Sequence, residues 1–348
     1  MKAFINSYPF LIYLVTFIIA LISSSILTPI FRLVAIKLNI LDCPYSQIKT
    51  HKKPTPYLGG LAIWSGWVIA LFVVRLFTHF PSGTLVNLRG IITGSLIVLT
   101  LGLIDDIVPK GIGFKWKFVF QITAAIALLF FDIRLHFVSP YIIAAAFTIF
   151  WVVAITNALN IIDIMDGLSG GVVFIASMAF LLISMRGEAI YVNFCAAALA
   201  GGALGFIPYN LSNKFKIFMG DTGSLTSGFI LAAIAMGTSY TKINDLALIA
   251  PLLILIVPIY DTVLVSLIRW RKGKSPFLGS KDHFALRLEK MGFPRRTIIF
   301  LTYIMAVVVS IGAYLITRSD LSNAIMLLSV LAFIIFLITN RISKVKIE

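Results

Sequence analysis

A chain of 348 residues that is 59% hydrophobic and only 12% charged, with mean hydropathy +1.01, lies far outside the make-up of a soluble domain, where about a quarter of residues are charged. Its net charge of +15 would suit a nucleic-acid binder, but cations gathered into alternate loops of an apolar chain follow instead from the positive-inside rule. Cys43 and Cys195 fall in a loop and inside an apolar run, positions that favour no disulfide.

Apolar runs of roughly 20 residues recur along the whole chain. They predict about ten or eleven transmembrane helices, centred near residues 22, 68, 97, 125, 150, 177, 200, 232, 256, 307 and 330. The first run, Pro9 to Ala35, is too long and lacks the cleavage pattern of a signal peptide, so it is expected to remain as a span. The expectation is an all-α polytopic membrane protein in which residues 1–348 form one integral-membrane domain. With the amino terminus outside, 22 of the 29 Lys and Arg residues fall on the cytoplasmic side, which orients the chain and puts the carboxyl terminus inside. Ten of the 14 acidic residues fall on that side too, although topology does not require it.

In chain order, the first polar stretch is Lys49-Thr50-His51-Lys52-Lys53-Pro54-Thr55-Pro56, a proline-stiffened basic loop that runs into Gly59-Gly60. Ammonium groups there suit a diphosphate, and a purely topogenic loop would look similar. Next, the span ending Gly102-Leu103-Ile104-Asp105-Asp106 places two carboxylates at the unfavourable end of a helix dipole. A cation or a phosphate-binding ensemble would relieve both penalties, and a solvated span terminus is the plain alternative. Lys110, Lys115 and Lys117 follow.

From Asn157 to Leu168, polar groups recur every third residue, so Asn157, Asn160, Asp163 and Asp166 form a stripe that cannot face lipid. Gly220-Asp221-Thr222-Gly223-Ser224 opens another span; Asp221 is either an N-cap or a ligand for a hard metal such as Mg2+. Asp261 lies about two turns inside the span that ends near Arg269. Trp270 to Thr297 is the one long connection, basic and polar, expected to hold a short amphipathic or irregular element with His283 and Arg287. The sequence has no phosphate-binding GxxxxGK[ST] loop, GxSxG elbow, CxxC pair or HExxH helix, which removes support for nucleotide hydrolysis, serine acyl transfer and zinc chemistry.

Taken in order from Asp42 to Phe293, these motifs resemble the polyprenyl-phosphate N-acetylhexosamine-1-phosphate transferases, the MraY/WecA superfamily of glycosyltransferase family 4. The matching residues are Asp42, Pro44, Lys49, His51, Pro56, Gly59 and Gly60; the Asp105-Asp106 pair; Lys115, Lys117 and Gln121; Asn157 to Leu168; and Gly220 to Ser224. The family's His-x-His-His loop reads Asp282-His283-Phe284-Ala285 here, which resembles the WecA/TagO-like UDP-GlcNAc enzymes more than the peptidoglycan type that uses UDP-MurNAc-pentapeptide.

The resemblance implies transfer of N-acetylhexosamine 1-phosphate, GlcNAc 1-phosphate in the first instance, from a UDP-sugar to undecaprenyl phosphate with release of UMP. That would be the first membrane step of a cell-envelope polysaccharide pathway, at the cytoplasmic face of a bacterial inner membrane. It implies Mg2+ as cofactor, with Mn2+ as the alternative ion, and no nucleic-acid partner; a homodimer is left open. The implied catalytic residues are Asp105, Asp106 and Asp163; the implied metal ligand is Asp221, with Asp105 as a second candidate. Lys49, His51, Lys52, Lys115, Lys117, Asn157, Asn160, Asp166, His283 and Arg287 are the implied substrate-binding residues. Two rivals predict other behaviour: a secondary transporter would have acids near mid-bilayer and two similar halves, and a polytopic scaffold would have no use for Mg2+.

Overall fold

Inside hydrocarbon, a single segment can satisfy all its own backbone hydrogen bonds only as a helix, and the apolar runs of this chain fold accordingly. The computed structural model describes residues 9–44, 53–78, 80, 82–108, 111–185, 190–241, 243–275 and 280–345. Its helices are α1 (Pro9–Lys37), α2 (Gly59–Phe77), α3 (Ser82–Ile107), α4 (Phe114–Phe130), α5 (Tyr141–Ile161), α6 (Leu168–Ser184) and α7 (Ile190–Asn210). They continue with α8 (Gly220–Gly237), α9 (Ala250–Ile254), α10 (Ile256–Arg271), α11 (Phe284–Lys290), α12 (Arg295–Ile316) and α13 (Leu321–Ser343). Strands β1 (Leu41–Asp42) and β2 (Thr55–Pro56) pair antiparallel, Asp42 opposite Thr55.

All eleven expected centres fall in helices, and the protein is an all-α, multi-span membrane protein. Among the described residues, α1, α2, α3, α5, α7, α12 and α13 are long and apolar enough to cross a bilayer by length and composition. The run centred on residue 256 departs from a single straight span: residues 245–254 and α10 meet at a 74° bend. Pro258, in the first turn of α10, has no N–H and its ring would clash with the carbonyl of Ile254 in a straight helix, which favours a bend here. The basic connection before α12 holds the short helix α11, as its composition suggests.

Helices α7 and α8 form the centre: 83% of the α7 span is buried, and α8 is buried along nearly its whole length. By contrast α1 and α13 expose Ile, Leu, Val and Phe side chains along most of their faces, as lipid-facing helices do. Up-and-down connectivity brings the amino-terminal ends of α2, α4, α6 and α8 and the carboxyl-terminal ends of α3, α5 and α7 to one end of the bundle. Among the described residues, Thr55 to Gly60, Asp105 and Asp106, Lys117, Asn157 to Asp166 and Gly220 to Ser224 all map to that end.

Candidate functional site

The amino terminus of α8 is the fixed point of the site. Extended backbone before it pairs with the chain leaving β2: Phe218 N donates to the Pro56 carbonyl (2.8 Å), Gly59 N to the Phe218 carbonyl (3.0 Å) and Gly60 N to the Met219 carbonyl (2.9 Å). A Cβ on Gly60 would stand 2.1 Å from Gly223 N, so helices α2 and α8 touch backbone to backbone. Gly220 has φ +70°, and a Cβ there would strike the Asp106 carboxylate at 2.4 Å.

Asp106 accepts three hydrogen bonds from α8, from Asp221 N (2.9 Å), Thr222 N (3.1 Å) and Thr222 Oγ1 (2.6 Å). The carboxyl group sits at the positive end of the α8 dipole. Both its oxygens are thereby committed to fastening α3 to α8, and it orients Asp221 rather than facing the site with a free oxygen.

Asp105, one residue earlier on α3, points elsewhere. Its Oδ1 accepts from Ile112 N at 2.7 Å, and its Oδ2 lies 2.9 Å from Lys117 Nζ. The same ammonium forms a short contact with Asp221 Oδ2. Asn160 Nδ2 donates to the other Asp221 oxygen and to Ser224 Oγ, both at 2.9 Å. One turn back on α5, Asn157 and Gln121 exchange amide hydrogen bonds (2.6 and 3.2 Å), which ties α5 to α4 and aligns Lys117 with Asn160.

Asp163 lies in the turn between α5 and α6. Burial raises its pKa to about 7; a Ser169 hydrogen bond opposes the shift, and the charges of Asp221 and Asp166 add to it. Asp166 pairs with Lys216 at 2.5 Å, and that ammonium stands 5.4 Å from the Phe218 ring centroid. Among the carbonyls of this turn, Gly167 O accepts from Tyr303 at 2.5 Å, while Gly167 N donates to Asn210 (2.6 Å).

The structure thus brings Asp105, Asp106, Lys117, Asn160 and Asp221 into one hydrogen-bonded cluster, with Asn157 behind it and Asp163 close enough to feel the Asp221 charge. Lys115 is exposed on the first turn of α4. Lys49, His51 and Lys52 lie outside the described residues. Three participants escaped the sequence reading. Lys216 looked like one more topogenic cation, and Thr222 like an unremarked position within its motif. Tyr57 lies next to Pro56; burial and a hydrogen bond with Asp42 hold its hydroxyl far above the usual tyrosine range.

His283 and Arg287 belong to a second polar cluster. Asp261, fully buried on α10, accepts from the Phe284 backbone N–H (2.8 Å) and lies 2.7 Å from His283 Nδ1, so that nitrogen carries the ring hydrogen. Arg287 is 2% exposed; it donates to the Asp282 carbonyl (2.9 Å) and carboxylate (3.0 Å) and to the carbonyls of Ile342 and Val345 at the end of α13. Burial alone would raise the Asp282 pKa, but hydrogen bonds from Lys272 and Ser280 and the Lys272 and Arg287 charges hold it below the usual carboxylate range. Arg287 is therefore spent on shaping the His283 segment, where the sequence suggested a substrate contact.

The donor set suits an open magnesium site. Asp105 and Asp221 already direct one oxygen each at a shared cation, the Lys117 ammonium. Mg2+ needs only one or two carboxylates when phosphate oxygens and water complete its shell. Among the described residues no three His, Cys, Asp or Glu side chains converge as a closed cage.

Comparison with known proteins adds an independent line. Glycosyl transferase family 4 matches residues 88–239. A Bacillus subtilis (strain 168) protein named "Probable undecaprenyl-phosphate N-acetylglucosaminyl 1-phosphate transferase" is 32% identical over 334 residues, 93% of this chain and 88% of the relative. A decaprenyl-phosphate N-acetylglucosaminephosphotransferase of Mycobacterium tuberculosis (strain CDC 1551 / Oshkosh) is 30% identical, covering 81% of this chain and 77% of its own. The undecaprenyl-phosphate alpha-N-acetylglucosaminyl 1-phosphate transferase of Escherichia coli (strain K12) is 28% identical over 84% of this chain and 82% of its own.

Proposed function

This chain belongs to glycosyl transferase family 4, and from that membership we propose that it transfers N-acetylglucosamine 1-phosphate from UDP-GlcNAc to a polyprenyl phosphate, releasing UMP. The observation that carries the reading is the convergence of Asp105 and Asp221, from distant parts of the chain, on a single cation at one end of the bundle. An oxygen of the acceptor phosphate attacks the sugar-linked phosphorus; the bridging P–O bond breaks, and the electron pair leaves on UMP. Such a reaction asks the protein for positioning and charge stabilisation more than for covalent help.

Asp221 and Asp105 would hold Mg2+, which when bound would neutralise the diphosphate and favour departure of UMP. Asp106 and Asn160 set the direction of the Asp221 carboxylate. Lys117, freed from its two carboxylates, turns its charge to the phosphates. Asp163, with a pKa raised to about 7, is matched to take the acceptor proton near neutral pH. Asp166, steered by Lys216, reads the nucleoside with Lys52, and His283 faces the sugar-nucleotide from its own segment.

The bias of 22 among 29 cations supports an outside amino terminus and a site at the cytoplasmic face of the plasma membrane. There a polyprenyl tail stays in hydrocarbon while a UDP-sugar arrives from water.

The test uses purified protein, undecaprenyl phosphate, Mg2+ and a panel of UDP-sugars, scored by UMP release and by the sugar recovered on lipid. UDP-GlcNAc should give a lipid-linked product, chelation should abolish it, and Asp221→Ala should lower turnover by about two orders of magnitude or more. Failure to move GlcNAc phosphate while another UDP-sugar is consumed would overturn the assignment.

A further inference from the structure

A cavity of about 560 Å3 opens between α10, α11, α12 and α13, away from the carboxylate cluster. Its wall is almost wholly apolar and includes Tyr260, Phe284, Met305, Ile338 and Ile342; among the described residues the one charged group on it is Arg341. We propose that this cavity holds an acyl chain of a membrane phospholipid whose anionic head group pairs with Arg341.

The volume lies within the ~300–1,000 Å3 of ordinary ligand pockets. Its origin is visible in the helix pair. A Cβ on Gly312 would lie 2.6 Å from Leu331, so α12 and α13 touch closely there, and they leave a gap at the level of Met305 and Ile338. Helix α13 is only 11% buried over its span, so the surrounding solvent is hydrocarbon and the natural occupant is a hydrocarbon chain.

Arg341 lies in the last turn of α13 at the cation-rich end, exposed and with no carboxylate partner among the described residues. A cation on the rim of an apolar cleft between spans is complementary to a lipid phosphate. The wall takes no residue from α3, α8 or the turn after α5, which carry the carboxylates that would meet the acceptor phosphate; this argues for a phospholipid over the polyprenyl substrate.

The occupant would also brace the second polar cluster. Phe284 donates its backbone N–H to Asp261, the partner of His283, and the Ile342 carbonyl accepts from Arg287. Both residues line the cavity, so a chain packed against them holds the His283 segment in place.

The test reads lipid directly, independently of transferase activity. Protein purified in mild detergent, stripped of lipid and exposed to vesicles of equal phosphatidylglycerol and phosphatidylcholine is examined by native mass spectrometry. The wild type should retain one phospholipid, mainly phosphatidylglycerol. Ile338→Trp, which fills the cavity, should lose it, and Arg341→Gln should cut the preference for phosphatidylglycerol about fivefold, the effect of one basic side chain near an anionic surface.

Because Ile338→Trp could disturb folding, phosphatidylglycerol with a photoreactive acyl chain is also applied to the wild type. Crosslinks should fall on peptides containing Met305 and Ile338, and amide exchange over residues 280–290 should quicken when lipid is stripped. The proposal fails if Ile338→Trp retains as much lipid as the wild type or if crosslinks avoid both peptides. It fails equally if Arg341→Gln keeps the preference, or if undecaprenyl phosphate displaces the crosslink, which would make the cavity the acceptor's own.

Discussion

Replacing Lys117 with Met keeps most of the side-chain stem and deletes the charge between Asp105 and Asp221. The ammonium lies 2.9 Å from Asp105 Oδ2 and in short contact with Asp221 Oδ2, and all three side chains are less than a quarter exposed (22%, 13% and 23%). At an effective dielectric constant near 20, unit charges ~4 Å apart interact by about 4 kcal/mol. The variant loses two such attractions and leaves two carboxylates facing each other, so the metal-free protein should lose about 3–5 kcal/mol, as when one partner of a buried pair is removed.

Mg2+ would answer the same two oxygens, and in the wild type it must displace the lysine to reach them. Without that competitor, the Mg2+ concentration for half-maximal stabilisation should fall by roughly tenfold or more, which corresponds to only about 1.4 kcal/mol. Thermal unfolding in detergent, followed by tryptophan fluorescence across a Mg2+ titration without substrate, reads both effects: a lower melting temperature in chelator, and a gap that narrows at lower Mg2+ than the wild type needs. Turnover should meanwhile drop by about two orders of magnitude, since no cation offsets the phosphates. If the chelated Met variant melts with the wild type, or if their Mg2+ midpoints coincide, the convergence of Asp105 and Asp221 on one cation site is wrong.

Gly60→Ala places a methyl 2.1 Å from Gly223 N, backbone that cannot swing aside, and should cost ~1–3 kcal/mol or more along with activity, while Gly83→Ala meets nothing within 4 Å and should preserve both in parallel melting and turnover assays. Asp163 has its pKa raised from 3.8 to about 7 in the fold, so its contribution to stability is fully present below about pH 4 and is lost as pH rises to about 7 and beyond. Melting temperatures of metal-free protein from pH 4 to 9 should therefore decline less in Asp163→Asn than in the wild type. Arg287→Lys loses the fork that reaches Asp282 and the Val345 carbonyl, and amide exchange over residues 280–290 should accelerate while that of α8 is unchanged.

The helices were legible because a bilayer leaves the backbone no alternative, and polar residues at every third position between Asn157 and Asp166 could only face polar partners on other elements. The break at Leu255 was not read, although Pro251 and Pro258 flank it: the apolar run is continuous across them, and hydropathy does not register a bend. Asp105 and Asp106 looked equivalent as a motif, yet neighbouring side chains on a helix point roughly 100° apart. One consequently meets Lys117 and the other the first turn of α8. The partners of Lys216 and Arg287 were illegible for a common reason: each is matched by a carboxylate or carbonyl that only tertiary structure brings near, Asp166 for the first and the end of α13 for the second.

Counting what each acid has to bind narrows the chemistry further. Asp106 is held by three donors of α8, Asp166 by Lys216, Asp261 by His283 and a backbone N–H, and Asp282 by Lys272, Ser280 and Arg287. A carboxylate so engaged keeps its place, and with fixed donors on its oxygens it is a poor acceptor for a proton in transit. Asp105 and Asp221 share a cation that a metal can replace. Asp163, like Asp106, forms no ion pair among the described residues, and burial with like charges nearby brings its proton affinity to the range where both forms are populated. In the proposed reaction the fold thereby separates gripping a cation, done by Asp105 and Asp221, from moving a proton, which falls to Asp163.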